Sequence, residues 1–107
     1  MKTEKVTMVR IYLREGEHLL ERIVTFLHEE ARIAGLTVLR GIEGFSADGP
    51  VRPSLLVDLA LDLPLVIEFF DLPERAEAVL HSLMRRFPLT HVVRWEAERL
   101  VDGSGPR

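Results

Sequence analysis

No cysteine occurs in the 107 residues. Disulfides, thiol catalysis and thiolate metal sites are excluded together, and a reducing compartment such as the cytoplasm is expected. Nowhere do ~18 apolar residues run uninterrupted, so no membrane-spanning helix is expected. The start, MKTEKVT, lacks the apolar stretch and cleavage site of a secretory signal. An excess of basic residues is lacking too. The 14 Lys and Arg stand against 17 Asp and Glu, a net charge of −3, whereas a phosphate-backbone footprint is basic. No stripe of Lys and Arg with interleaved aromatics supports binding of RNA or DNA.

Motifs of common chemistries are missing as well. There is no G-x-x-x-x-G-K-[ST] loop, and Gly41-Ile42-Glu43-Gly44 does not fit G-x-G-x-x-G. None of Ser46, Ser54, Ser82 and Ser104 sits in G-x-S-x-G. His18, His28, His81 and His91 form no H-x-x-x-H pair, so no metal centre is expected. Glu29-Glu30 reads as a solvated helix face. Glu96 and Glu98 share a strand face near arginines and read as ion-pair partners rather than an acid-base couple. No resident cofactor is expected.

What is present is the balance of one globular domain over 1–107, with 47% apolar and 29% charged residues. Residues 5–14, KVTMVRIYLR, are rich in β-branched side chains and read as a strand. Val9, Ile11 and Leu13 point one way, Met8, Arg10, Tyr12 and Arg14 the other. Over 17–34 the apolar spacing becomes helical, through Leu19, Leu20, Ile23, Val24, Leu27, Ala31 and Ala34. Gly35 stands where a left-handed helix end is expected. Residues 36–46 read as a second strand, 46–53 (SADGPVRP) as a loop, and 54–61 as an extended apolar segment.

Residues 63–70, LPLVIEFF, read as a strand opening on a proline. Asp71, Pro73 and Glu74 mark a helix start. Ala76, Val79, Leu80, Leu83 and Phe87 form that helix's apolar stripe, Arg85 and Arg86 suit its C-terminal dipole, and Pro88 stops it. Residues 89–99 read as the last strand, and 102–107 as a frayed tail. The order β-α-β, β-α-β predicts an α+β ferredoxin-like fold: a four-stranded antiparallel sheet with two helices on one face. The other face is expected to carry Arg10, Tyr12, Glu68, Phe70, Arg94 and Glu96. Its mixture of hydrophobes and both charges fits an interface between copies of the chain. Gly41 and Gly44 inside the second strand predict a bulge, or close approach of another group to the backbone.

AGLTVLRGIEGF (34–45), VDLALDLPLVIEFFD (57–71) and PERAEAVLHSL (73–83) together resemble the PII-like signalling proteins, and more closely an uncharacterised PII-like bacterial family. The segment Arg40-Gly-Ile-Glu-Gly-Phe45 carries the resemblance most specifically, and the likeness extends over about residues 6–100. It implies a ferredoxin-like homotrimer, with nucleotides in clefts between subunits and a loop after the second strand that engages a partner. Thr37 matches the threonine that faces adenine in PII sites. Gly44-Phe45 resembles the base of the partner-binding loop, and Glu68 matches the strand glutamate bordering the cleft.

Three departures stand out. Leu65 occupies the place of a PII lysine, FPLTH (87–91) replaces the glycine-rich turn after the second helix, and the loop is shorter and lacks the modified tyrosine. Each lost charge-assisted contact is worth ~1.5–3 kcal/mol, so triphosphate affinity is expected to fall unless Arg40, Arg52 or Arg94 compensates. The resemblance thus implies a non-enzymatic regulator with a small effector, such as an adenine nucleotide. Its ligand-binding residues would be Thr37, Arg40, Gly41, Glu43, Gly44, Phe45, Ser46, Arg52 and Glu68. A membrane transporter, of the fluoride-exporting kind associated with the close family, is the implied partner. Two other readings stay open: a small oligomeric enzyme working through Glu43, Glu68 or His91, and a metal-responsive trimer.

Overall fold

The structure is a computed structural model that describes residues 1–42, 44 and 63–101. The expected loop 46–53, the segment 54–61 and the tail 102–107 lie outside the described residues, as do Glu43, Phe45, Ser46 and Arg52. Strand β1 (Lys2–Arg14) runs into a 3₁₀ turn, Glu15–Glu17. Helix α1 (Leu20–Thr25) continues into a π turn, Phe26–Glu30, and β2 (Leu36–Arg40) follows. After β3 (Pro64–Asp71) come helix α2 (Pro73–Arg86) and β4 (Val92–Val101). The sheet order is β2-β3-β1-β4, with every neighbouring pair antiparallel. This is the ferredoxin-like arrangement expected from the element order.

The alternation in β1 falls as the period-2 pattern dictates. Val9, Ile11 and Leu13 are buried under the helices, and Met8, Arg10 and Tyr12 lie on the opposite face. From β3, Leu65, Ile67 and Phe69 join the same core. Helix α2 delivers Val79, Leu80 and Leu83, the extended residue Phe87 just beyond its end adds a ring, and the first helix supplies Ile23, Phe26 and Leu27. The α2 stripe matches its sequence pattern at Ala76, Val79, Leu80 and Leu83, because a 14-residue helix with an undisturbed 3.6 period keeps one face inward, whereas Phe87 is buried from an extended position past the helix end. Asp71 is the last residue of β3 rather than the cap itself. Its Oδ1 accepts the Leu72 N–H at 2.7 Å, and Pro73 opens the helix.

The first helix departs from its sequence pattern at its end. Ala31 N–H bonds the Phe26 carbonyl and Ile33 N–H the Leu27 carbonyl, each a wider turn than the α-helix allows. That extra residue moves Ile33 into the core and leaves Ala34 exposed. The left-handed residue at this end is Arg32, with φ 55°, and not Gly35. The non-glycine conformation is held by Arg75, whose Nη2 donates to the Ala31 carbonyl at 2.7 Å while its Nε pairs with Asp71 at 3.0 Å.

Two segments end earlier or start later than their sequence pattern. Strand β2 stops at Arg40, and β4 starts at Val92 after Leu89 has turned into the core. The larger correction concerns β4's phase. Met8 opposes Trp95, Arg10 opposes Val93, and Val9 opposes Arg94. Residues paired across a sheet share a face. Val93, Trp95 and Ala97 therefore lie beside Arg10 and Tyr12, while Arg94 and Glu96 lie on the helix side. The doublet Val92-Val93 lets either phase satisfy an alternating pattern, and a one-residue slip exchanges the faces.

Candidate functional site

The face opposite the helices is banded. One cross-strand row is Phe70, Met8 and Trp95, a second is Thr37, Glu68, Arg10 and Val93, and a third is Leu39, Val66 and Tyr12. Phe70, Tyr12, Trp95, Val93 and Leu39 are each between 39% and 48% exposed. A polar row thus crosses the sheet between two apolar rows. At its centre the Arg10 Nε–H donates to Glu68 Oε1 at 2.6 Å, and the guanidinium lies 5.8 Å from the Trp95 ring centroid. The hydrogen bonds of Glu68 and then Tyr12 raise the Arg10 pKa above its ordinary value, so this cation keeps its charge wherever the chain folds.

Of the expected ligand site, strand β2 carries Thr37 and Arg40, Gly41 and Gly44 follow it, and Glu68 lies on β3. Thr37 lies opposite Glu68 on the banded face. Arg40 lies on the other face, opposite Leu65, three residues further along the strand. Val38, on the helix side of β2, is 39% exposed, so this edge strand offers apolar surface on both faces.

Gly41 and Gly44 both meet Pro64. The Gly41 N–H donates to the Pro64 carbonyl at 2.8 Å, and a Cβ on Gly41 would stand 2.6 Å from Pro64 Cγ. At Gly44 the same added atom would stand 3.3 Å from Pro64 Cγ. The close approach expected at these glycines is to the opening residue of β3. No described glycine has a positive φ, so space rather than backbone conformation demands glycine at 41.

The departures from the PII pattern have structural causes. Leu65 is a core residue, 5% exposed, so its side chain points away from the banded face. In FPLTH, Phe87 and Leu89 are buried, and Phe87 packs edge-on against Phe26 at 6.1 Å. This turn closes the core where a glycine-rich turn would present backbone N–H groups. Arg94, one of the three compensating cations considered, is engaged by Glu77 of α2. It lines an open groove of about 660 Å³ with Thr7, Pro73, Glu74, Glu77, Trp95 and Glu96, whose carboxylates oppose a phosphate. A second groove, about 450 Å³, runs between the two helices. Neither groove includes Thr37, Arg40, Gly41, Gly44 or Glu68.

Sequence reasoning missed two residues. Trp95 belongs to the banded face and was hidden by the phase slip in β4. Glu15 holds Arg40: Nε donates to Oε1 at 2.7 Å and Nη2 to Oε2 at 2.8 Å. Partners 25 residues apart leave no local signal. Among the described residues, no group of three or more His, Asp or Glu side chains is placed to hold a metal ion. No helix among them is long and apolar enough to cross a membrane.

The model of the DUF190 family, described as "Uncharacterized ACR", matches residues 6–99. The chain belongs to this family. It is 36% identical over 84 residues to the UPF0166 protein MJ1524 of Methanocaldococcus jannaschii, covering 74% of this chain and 76% of that one. Its fold is similar to CPII, a nitrogen regulatory PII-like protein from Thiomonas intermedia K12 solved bound to ADP, AMP and bicarbonate. That likeness has a TM-score of 0.71 at 17% identity, over 92% of this chain and 91% of the other. A PII-like signalling protein from Thermus thermophilus, described as putative in its own structure, has a TM-score of 0.61 at 20% identity, over 94% and 93%. The PII-like fold that the residues around Arg40 imply is thus the fold of this family member.

Proposed function

We propose that this protein is a non-enzymatic, PII-like regulator: a cytoplasmic homotrimer with a small anionic effector, such as an adenine nucleotide, in the clefts between subunits. The observation that carries the reading is the banded sheet face. Large apolar side chains flank a central ion pair there, the composition of an interface rather than of a solvated surface. The exposed edge strand β2 would then border a neighbouring subunit and bring Thr37, Gly41, Gly44 and Glu68 to the cleft. Glu43, Phe45, Ser46 and Arg52 would complete the site from the connecting segment. The fold likeness to proteins solved with ADP and AMP supports the nucleotide class.

Among the described residues of the expected site Arg40 is the cation that would meet the anionic end of such an effector, since Leu65 is a buried apolar residue and Phe87 and Leu89 of the FPLTH turn are packed in the core. With fewer phosphate contacts than the PII pattern provides, mono- and diphosphates are favoured over triphosphates. Effector occupancy would alter the segment after β2 and thereby what docks there, by a shift between two states of differing affinity. The transporter implied by the resemblance is the proposed partner, and co-purification from membranes with and without effector tests it. Calorimetric titration with AMP, ADP and ATP tests the site. Saturable binding of AMP or ADP with weaker ATP binding is expected; no heat and no thermal shift with any of them overturns the nucleotide assignment.

A further inference from the structure

Glu15 touches both stems of the chain segment that leaves β2 and returns as β3. Its carboxylate receives Arg40, the last residue of β2, through two hydrogen bonds of 2.7 and 2.8 Å. Its main-chain N–H donates to the carbonyl of Leu63, the residue before β3, at 2.9 Å. The side chains differ in freedom. Arg40 is 62% exposed, whereas Glu15 is 27% exposed and fixed at its backbone.

We propose that Glu15 is a latch on Arg40, and that an anionic effector competes with Glu15 for that guanidinium. The inference rests on the effector reading given above. The Nε–Nη2 fork that Glu15 occupies is the edge by which arginine grips a phosphate or carboxylate, so the two partners exclude one another at that edge. An exposed ion pair is weak, so a phosphate can displace Glu15 at modest expense. The main-chain bonds of Glu15 to Leu63 and of Gly41 to Pro64 do not depend on Arg40. Effector binding would therefore release the Arg40 side chain from Glu15 and leave both main-chain ties in place. The coupling is reciprocal: whatever weakens the hold of Glu15 tightens the effector.

The test compares wild type, Glu15→Gln, Arg40→Gln and the double variant by ADP titration, with the Arg40 Nε–H resonance followed by NMR. The latch predicts that Glu15→Gln tightens ADP about 2- to 5-fold. Arg40→Gln weakens it roughly tenfold or more and erases the difference between Glu and Gln at position 15. Equal ADP affinity in wild type, Glu15→Gln and Arg40→Gln overturns the latch and leaves the nucleotide reading standing. Weaker binding by Glu15→Gln overturns it too, since Glu15 would then be orienting Arg40 toward the ligand. If no variant binds ADP, the nucleotide reading falls. Inorganic pyrophosphate then decides the latch: a shift of the Arg40 resonance at lower concentration in Glu15→Gln supports it, and no shift in either protein overturns it.

Discussion

Arg10 and Glu68 face each other across the β1–β3 pair, joined at 2.6 Å on the sheet face opposite the helices. The pair lies between two apolar rows, with Trp95 beneath the guanidinium. In a lone chain it is a half-exposed ion pair of little consequence. Inside an interface, removing one partner leaves an uncompensated buried charge. Glu68→Ala is therefore expected to shift the assembly toward smaller species at micromolar concentration, with little change in secondary structure. Sedimentation velocity with circular dichroism checks both halves.

The phase of β4 has its own test. Trp95→Glu places a charge on the banded face and is expected to dissociate the assembly. Arg94→Ala, one residue away, removes only the exposed contact to Glu77 on the helix side and should leave the mass unchanged. The reverse pattern would place Arg94 on the banded face.

Gly41→Ala drives a methyl to 2.6 Å from Pro64 Cγ, with a backbone hydrogen bond holding the two strands together. A loss of about 1–3 kcal/mol is expected in urea denaturation. Gly44→Ala, at 3.3 Å, should lose less. Gly35→Ala meets nothing within 4 Å and has no positive φ, so it should be neutral or stabilising by about 0.4–1 kcal/mol.

Arg75→Ala removes the donor from the Ala31 carbonyl and the partner of Asp71. The end of the first helix, where Arg32 is left-handed, then keeps only the exposed Arg86–Glu30 pair as a polar tie to α2 among the described contacts. A loss of about 1–2 kcal/mol is expected, with amide exchange rising first at residues 31–33. Uniform exchange across the chain would show that this contact does not hold the helix end.

The alternation of Val9, Ile11 and Leu13 and the stripe from Ala76 to Phe87 were legible in the sequence because each is a single-period pattern ending in recognisable punctuation. The fold followed from their order. What the sequence hid has physical causes. The Val92-Val93 doublet makes the phase of β4 ambiguous. A π turn changes the period of the first helix in mid-run, and Arg75 from α2 permits an arginine where glycine was expected at the helix end. At the site, antiparallel register places Thr37 opposite Glu68. Arg40 falls on the other face, and its pairing with Glu15 is set by tertiary packing between elements 25 residues apart.

The proposed regulator depends on copies meeting through the banded face, because Thr37 and Glu68 line neither of the two grooves found among the described residues. Sedimentation equilibrium without ligand, across a hundredfold range of concentration, tests this most directly. The account predicts a mass of about 37 kDa, three times the 12.2 kDa of one chain, that holds on dilution to the micromolar range. A single species at 12.2 kDa throughout that range would contradict it.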